Sequence, residues 1–468
     1  MIMVLQPLEL LPVVIYLVLL LVLGFTGKKG DNSEENFIVG GRTLTLPAFV
    51  ATLVTTWYGG ILGVGEFSYT YGLSNWVVFG LPYYLFALIF AVFLAPRIRR
   101  DGGLSIPDRL YRNYGPIAGR IGAVWTLFMV LPAPYVLMVG ILMMAVTGWP
   151  LWLCVALGTG FSMFYVLSGG FRSVVRTDKL QFILMFGGFI ILLAVLVLRY
   201  GGLNFLSANL PANHLTLTGG NPPSYLLVWY FIALWTFIDP GFHQRCDAAK
   251  TPETARRGIL ISIGFWFVFD FLTTAIGLYA RALISGLKTP ELSYPLLSHA
   301  ILPPLLSGLF LTGLFATIMS TIDSLSLLSA ITIGHDLLSR TKAAIGRVKA
   351  VRLGLIITAI LSILIAILLP SVIRIWYVIG TLFIPPMLLP VLSIYFPAIA
   401  PGPKWIIANL VLGFLLPFIW LVISAIQSPS LANLHNFMGI QPMFPGLGIS
   451  VTLFAVGAAT RRRSASNL

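Results

Sequence analysis

Charge is what this chain has least of. Only 9% of its 468 residues are Asp, Glu, Lys or Arg, against 58% hydrophobic, whereas water-soluble domains carry about 25% charged residues. Cysteine is nearly missing too. Cys154 and Cys246 fall in a span and in a loop, which leaves no disulfide framework and no metal-ligand spacing. The five histidines, His214, His243, His299, His335 and His435, are scattered, with no pair at ligand spacing and no clustered catalytic groups at a membrane face, so an integral membrane enzyme is set aside.

What the chain has instead is apolar runs long enough to cross a hydrocarbon core about 30 Å thick. About thirteen spans are predicted, at 8–25, 46–71, 75–96, 119–146, 150–168, 177–199, 224–242, 258–283, 304–334, 352–370, 372–397, 404–426 and 445–460. The fold class is an all-α polytopic membrane protein in a lipid bilayer. The first run has no basic start and no small-residue cleavage site, so it reads as a retained span and not a signal peptide.

The net charge of +14 is placed in a way that argues against nucleic acid as a partner. Basic residues fill alternate connections: Arg97 to Arg120 in one, Arg172, Arg176 and Lys179 in the next, then Arg245, Lys250, Arg256 and Arg257. Arg340, Lys342, Arg347, Lys349 and Arg352 follow, and Arg461, Arg462 and Arg463 end the chain. With thirteen spans these lie on one side, which the positive-inside rule makes cytoplasmic. The expected topology is a multi-pass cell (plasma or inner) membrane protein, N-terminus outside and C-terminus cytoplasmic. The opposite connections 201–223 and 287–303 carry almost no Lys or Arg.

Within the ninth span, Thr317, Ser320, Thr321 and Ser324 stand at i, i+3, i+4 and i+7, which puts four hydroxyls on one helix face. Hard cations take oxygen ligands, and a membrane helix spending hydroxyls on one face turns it inward or lines a cavity. Close helix packing, with the hydroxyls bonded back to their own i−4 carbonyls, is the competing explanation.

Two spans are interrupted. Span two contains Gly59, Gly60, Gly63 and Gly65 before Glu66, and span seven contains Asp239, Pro240 and Gly241. A broken helix at membrane depth frees backbone carbonyls, tolerable where they line a cavity, and matching breaks in two halves mark transporter binding sites. The expected organisation is 1–45 as an extra N-terminal helix and cytoplasmic linker, 46–199 as one set of five helices and 200–223 as an extracellular loop. A second set fills 224–397, and 398–468 holds two C-terminal helices and a basic tail. The alternative at Asp239-Pro240 is a simple helix end at the cytoplasmic face.

Several stretches carry a resemblance to a known family. They are Gly40-Gly41-Arg42, Ala51-Thr52 through Thr56-Trp57-Tyr58-Gly59 to Tyr71-Gly72, and Gly169-Gly170-Phe171-Arg172 leading to Thr177-Asp178-Lys179-Leu180-Gln181. Gln244-Arg245, Ala248-Ala249-Lys250, Ala255-Arg256-Arg257-Gly258 and Ser320-Thr321-Ile322-Asp323-Ser324 complete the set. In this order and spacing the chain resembles the sodium:solute symporter family, over nearly its whole length. The resemblance implies a LeuT-type 5+5 inverted repeat with one extra N-terminal and two extra C-terminal helices.

It also implies a sodium ion between span two and the ninth span. The ion would be held by the hydroxyls of Ser320 and Thr321 and the carbonyls of Thr317, Thr55 and Tyr58, although the glycine-rich stretch here is two residues shorter than the family's common pattern. A second ion site or exit route would use Asp178 and share Ser324; the bland alternative for Asp178 is an interfacial ion pair with Arg176 or Lys179.

Glu66, Asp270, Asp323 and Arg374 lie in apolar surroundings, where an unpaired charge costs roughly 2.5 kcal/mol or more. Asp323 either caps local structure or tunes the ion site. Asp270 and Arg281 stand eleven residues apart on one span, too far for an i, i+4 contact. Glu66 and Arg374 are candidates for substrate or gate, and Trp57, Gly60, Trp235, Phe237 and Trp376, with Tyr58, are candidates to line a solute pocket.

The expected function is sodium-coupled symport of a small organic solute by alternating access. Sodium is the coupling ion, no organic cofactor is required, and a single chain forms the transport unit. Two alternatives stay open: a proton-coupled transporter using Asp178 or Asp239, and a non-transporting membrane sensor.

Overall fold

A computed structural model describes residues 3–25, 33–338, 346–369, 371–428 and 435–466. Its membrane helices are α1 (Pro7–Phe25), α2 (Leu46–Tyr71), α3 (Ser74–Asp101), α4 (Pro116–Thr147), α5 (Leu151–Leu167), α6 (Gly170–Tyr200), α7 (Pro223–Ala248), α8 (Pro252–Leu283), α9 (Pro304–Leu338), α10 (Val348–Leu368), α11 (Val372–Tyr395), α12 (Pro403–Ile426) and α13 (Met443–Arg461). Twelve of these described helices are long and apolar enough to span a bilayer, and α5 is a shorter apolar helix. Arg340 and Lys342, and the side chains of Arg347, Arg462 and Arg463, lie outside what is described.

Glycine and proline set where these helices bend. α5 runs straight into α6 except at Gly170, whose φ of 55° and ψ of −150° turn the chain through a conformation that side chains avoid. In α2 the α-helix Leu46–Trp57 gives way to a 3₁₀ turn, Tyr58–Gly60, before resuming at Ile61. α7 repeats the pattern: Pro223–Ile232, a 3₁₀ turn Ala233–Phe237, then Pro240–Ala248. Asp239 caps that second segment, its Oδ1 accepting from the Phe242 amide at 2.9 Å, with Pro240 at the first helical position. Both interruptions are real breaks inside a span; Asp239-Pro240 starts a half-helix and does not end one.

Burial separates core from periphery. In α2 and α9, 83% of the most apolar stretch is buried, against 22% in α1 and α13 and 28% in α12. The first pair therefore forms the centre and the others face lipid. Close approach at the centre depends on missing side chains. A Cβ on Gly59 would lie 2.0 Å from Thr321 Oγ1, and one on Gly60 would lie 2.4 Å from the Trp376 ring.

The basic connections gather at one end. Arg42 donates to the Gly102 carbonyl at 2.8 Å, Arg99 to the Ala249 carbonyl at 2.6 Å, and Arg172 to Asn36 at 2.8 Å. Leu44 pairs through its backbone with Ala248 and Lys250, at 2.9 and 3.0 Å, tying the entry of α2 to the exit of α7. The amphipathic helix Ile106–Tyr114, capped by Ser105, buries Arg109 completely against Asp101 and Asp247.

Candidate ion and solute site

The central contact is made by the hydroxyl face of α9 against the break in α2. Thr321 Oγ1 donates to the Thr56 carbonyl at 2.7 Å, just where the α-helical ladder yields to the 3₁₀ turn. Thr55 lies one residue back, and its hydroxyl is spent on the Ala51 carbonyl at 2.9 Å. The Thr317 hydroxyl likewise folds back on Gly313 at 2.7 Å. Tyr58 donates its hydroxyl to the Trp266 carbonyl at 2.9 Å.

Beside this contact sits Asp178, fully buried. Ser320 Oγ donates to its Oδ1 at 2.6 Å and Thr52 Oγ1 to its Oδ2. The interfacial ion pair with Arg176 or Lys179 is therefore corrected: Asp178 points into the bundle, while Arg176 Nε donates to the Arg172 carbonyl at 3.1 Å. Ser324 and Thr56 share a hydrogen bond at 2.9 Å. Asp323 turns the other way, towards α5, where Tyr165 donates at 2.5 Å and Ser162 also donates.

Arg245 completes the cluster. Its Nη2 donates to the hydroxyls of Thr52, Thr56 and Ser324 at 3.1, 2.9 and 2.7 Å, and the residue is fully buried. The sequence places it in a basic loop because predicted span seven stops at 242. The helix continues to Ala248 and carries Arg245 inside. The available signal was its position six residues after the Asp239-Pro240 break.

A cavity of about 170 Å³ lies against the same groups, bounded by Thr56, Thr321, Asp239, Arg245 and Asp270 and walled by aromatic rings. Trp57, Tyr58, Gly60, Trp235 and Trp376 all line it, with Tyr83 and Tyr135, which the sequence did not single out. Phe237 falls outside that lining: the 3₁₀ turn directs it onto Phe86, ring centres 5.5 Å apart. Asp239 accepts from Trp235 Nε1 at 2.8 Å as it caps its half-helix. Asp270 accepts from the Tyr84 hydroxyl. Arg281 is engaged elsewhere, donating to the Tyr69 hydroxyl at 3.2 Å.

Glu66 and Arg374 line a different space, a vestibule of about 410 Å³ away from the basic end. An aromatic layer stands between vestibule and cavity. Phe79 meets Phe67 at 5.1 Å, Trp229 at 5.0 Å and Trp376 at 6.3 Å between ring centres.

A profile of the sodium:solute symporter family matches residues 37–399. The chain is 26% identical to sodium/proline symporter 2 of Staphylococcus saprophyticus over 96% of its own length and 92% of that protein's. It is 30% identical to the sodium/pantothenate symporter of Haemophilus influenzae, in an alignment covering 42% of this chain and 43%, less than half, of that relative. Among solved structures, a substrate-bound, outward-open Na⁺-coupled sialic acid symporter superposes with a TM-score of 0.79 at 17% identity, over 97% of this chain and 98% of that one. That likeness shows the fold, a LeuT-like polytopic bundle. Broken helices facing a hydroxyl-bearing span, in a multi-pass plasma-membrane chain matched over most of its length, identify a member of the sodium:solute symporter family, a sodium-coupled solute transporter and not an enzyme.

Proposed function

We propose that one sodium ion binds between α2 and α9, and that a small organic solute binds in the adjoining aromatic cavity. The ion's ligands would be the Ser320 and Thr321 hydroxyls, the Thr317 carbonyl and carbonyls of the α2 break at Thr55 and Tyr58. The Thr56 carbonyl, which already faces Thr321, joins them. Asp178 and Ser324 form the second ion position or the exit route. The observation carrying this reading is the Thr321 to Thr56 contact at 2.7 Å, because it places a hard-oxygen cluster at a helix break on the cavity wall.

Electrostatics supplies the coupling. A sodium ion entering down a 100 mV inside-negative potential releases roughly 2.3 kcal/mol, or close to fifty-fold accumulation of solute before the sodium gradient is counted. Ion binding would hold α2 against α9 in the solute-competent form, and alternating access would rock one helix set against the other. The basic end is cytoplasmic in this reading, with the N-terminus outside, the C-terminus inside and a single chain as the transport unit.

The deciding experiment compares the melting temperature of detergent-solubilised protein in sodium and in potassium at equal ionic strength. A sodium-specific rise, removed by Ser320→Ala, supports a native-state ion site by linkage. Equal melting in both salts, with uptake driven by a proton gradient alone, would replace sodium with proton coupling.

A further inference from the structure

Asp270 is a carboxylate on the cavity wall with no cation to answer it. It sits inside α8, 4% exposed, and its Oδ2 accepts from the Tyr84 hydroxyl. Among the described residues no Lys, Arg or His pairs with it; Arg281 of the same helix is spent on the hydroxyl and ring of Tyr69. The other charges nearby already answer one another. Arg245 reaches Asp178 through the Thr52 hydroxyl and also stands beside Asp239, so one guanidinium serves two carboxylates. Asp270 makes a third. An ionised carboxylate at membrane depth is expensive without a partner, and where it faces a cavity the partner is a ligand.

The remaining walls are rings. Trp57 lies 4.9 Å from Tyr83 and Tyr135 lies 6.2 Å from Trp376, centre to centre, and all four line the cavity with Trp235. Ring faces attract a cation held within about 6 Å of their centres. Groups that would hold an anion are turned elsewhere. Arg245 directs Nη2 onto three hydroxyls and Nη1 onto Gln244, and its Nε is shut inside the protein. Arg374 stands in the vestibule beyond the aromatic layer. Volume limits the solute as well, since an apolar cavity of about 150 Å³ takes benzene and this one is about 170 Å³.

From this geometry we propose that the solute is a small organic cation, an alkylated ammonium, whose charge sits against Asp270 inside the aromatic walls, and that Asp270 selects its sign. The inference rests on the solute reading of the cavity above and adds the chemical class. Asp239 cannot do the same work as freely, because its two oxygens are already engaged by the Phe242 amide and the Trp235 indole. An alkylated ammonium has few or no N–H bonds to satisfy, which suits a wall made mainly of rings. The charges then close. Three carboxylates and one guanidinium leave two negative charges, one for the sodium ion between α2 and α9 and one for the solute, so the bundle is neutral only when both cations are aboard. Asp270 lies outside the stretches that carry the family resemblance.

The test is equilibrium binding to the purified full chain in sodium, followed by tryptophan fluorescence. Choline is the cation probe, and the alcohol in which a tert-butyl group replaces its trimethylammonium is the uncharged probe of the same shape; L-proline and acetate are the zwitterion and the anion. The wild type is expected to bind choline at least tenfold more tightly than any of the other three. Asp270→Asn keeps an oxygen for the Tyr84 hydroxyl and should erase the margin over the alcohol by weakening choline alone, whereas a merely structural role would weaken both. Asp270→Glu should keep the margin; should the asparagine variant not fold, this variant and the wild type still decide the matter. No choline binding, an equal or tighter partner among the other three, or a folded Asp270→Asn with its margin intact overturns the proposal. Sodium-specific melting without solute is read separately, so that result leaves the sodium site standing, and equal melting in sodium and potassium removes the sodium site without touching the choline margin.

Discussion

Gly59 packs so tightly against Thr321 that any side chain there would overlap it, the nearest approach of an added Cβ being 2.0 Å to the hydroxyl oxygen. The missing side chain is what lets the Thr321 hydroxyl reach the Thr56 carbonyl. Gly59→Ala should therefore push α9 away from the break in α2. Overpacking of this kind costs about 1–3 kcal/mol, and the expected result is a lower melting temperature together with loss of the sodium-specific stabilisation. A variant with wild-type sodium response would show that the contact is not part of the ion site.

Ser320 and Thr321 should separate by role. Ser320 donates to Asp178 and Thr321 to the α2 backbone, so both alanine variants lose a proposed ligand, but only Ser320→Ala also strips a buried carboxylate of a donor, a loss of about 1.5–3 kcal/mol for a bond to a charged group. Both are expected to raise the sodium concentration for half-maximal uptake, and Ser320→Ala alone to lower stability clearly in potassium. Uptake with unchanged sodium dependence in both would remove these hydroxyls from the site.

The spans, their breaks and the hydroxyl face were legible because each depends on local pattern: run length, Gly and Pro at a helix interruption, and i, i+3, i+4 spacing. What escaped were contacts set by where one span meets another. Asp178 beside Arg176 and Lys179 reads locally as a surface ion pair, yet helix rotation turns it onto Ser320 and Thr52. Arg245 and Arg109 read as loop charges, and both are fully buried because α7 runs on to Ala248 and the helix Ile106–Tyr114 folds under the bundle. Phe237 failed for a rotational reason, since a 3₁₀ turn advances side chains by 120° per residue in place of the 100° of an α-helix.

Asp239 offers a separation of charge from shape. It caps the half-helix Pro240–Ala248 through Oδ1 and takes the Trp235 indole through Oδ2, while also bounding the cavity. Asn retains the capping oxygen but its NH2 group cannot accept from the Trp235 indole, whereas Ala removes both acceptors, the cap by itself at a cost near 1 kcal/mol. Asp239→Asn is expected to melt below the wild type and Asp239→Ala lower still. If solute uptake falls in both to the same extent, the negative charge is used in transport; uptake that tracks melting temperature would confine Asp239 to capping.

The basic end is locked by Arg109, whose guanidinium grips both carboxylate oxygens of Asp247, at 2.5 and 3.1 Å, and Asp101 at 2.8 Å. These groups join the ends of α3 and α7 to the helix Ile106–Tyr114, so opening this end requires them to part. Breaking one partner of a buried pair costs about 3–5 kcal/mol. Even 1.4 kcal/mol of that, expressed as bias towards an open form, is a tenfold change in population. Cys246 is fully buried next to Asp247, and Cys154 lies near Trp149, between α4 and α5. In a Cys154→Ser background, Arg109→Ala should raise the labelling rate of Cys246 by a maleimide at least tenfold, with sodium slowing it again. A labelling rate equal to that of the unchanged lock would mean that the Arg109–Asp247 pair holds the fold and does not gate it.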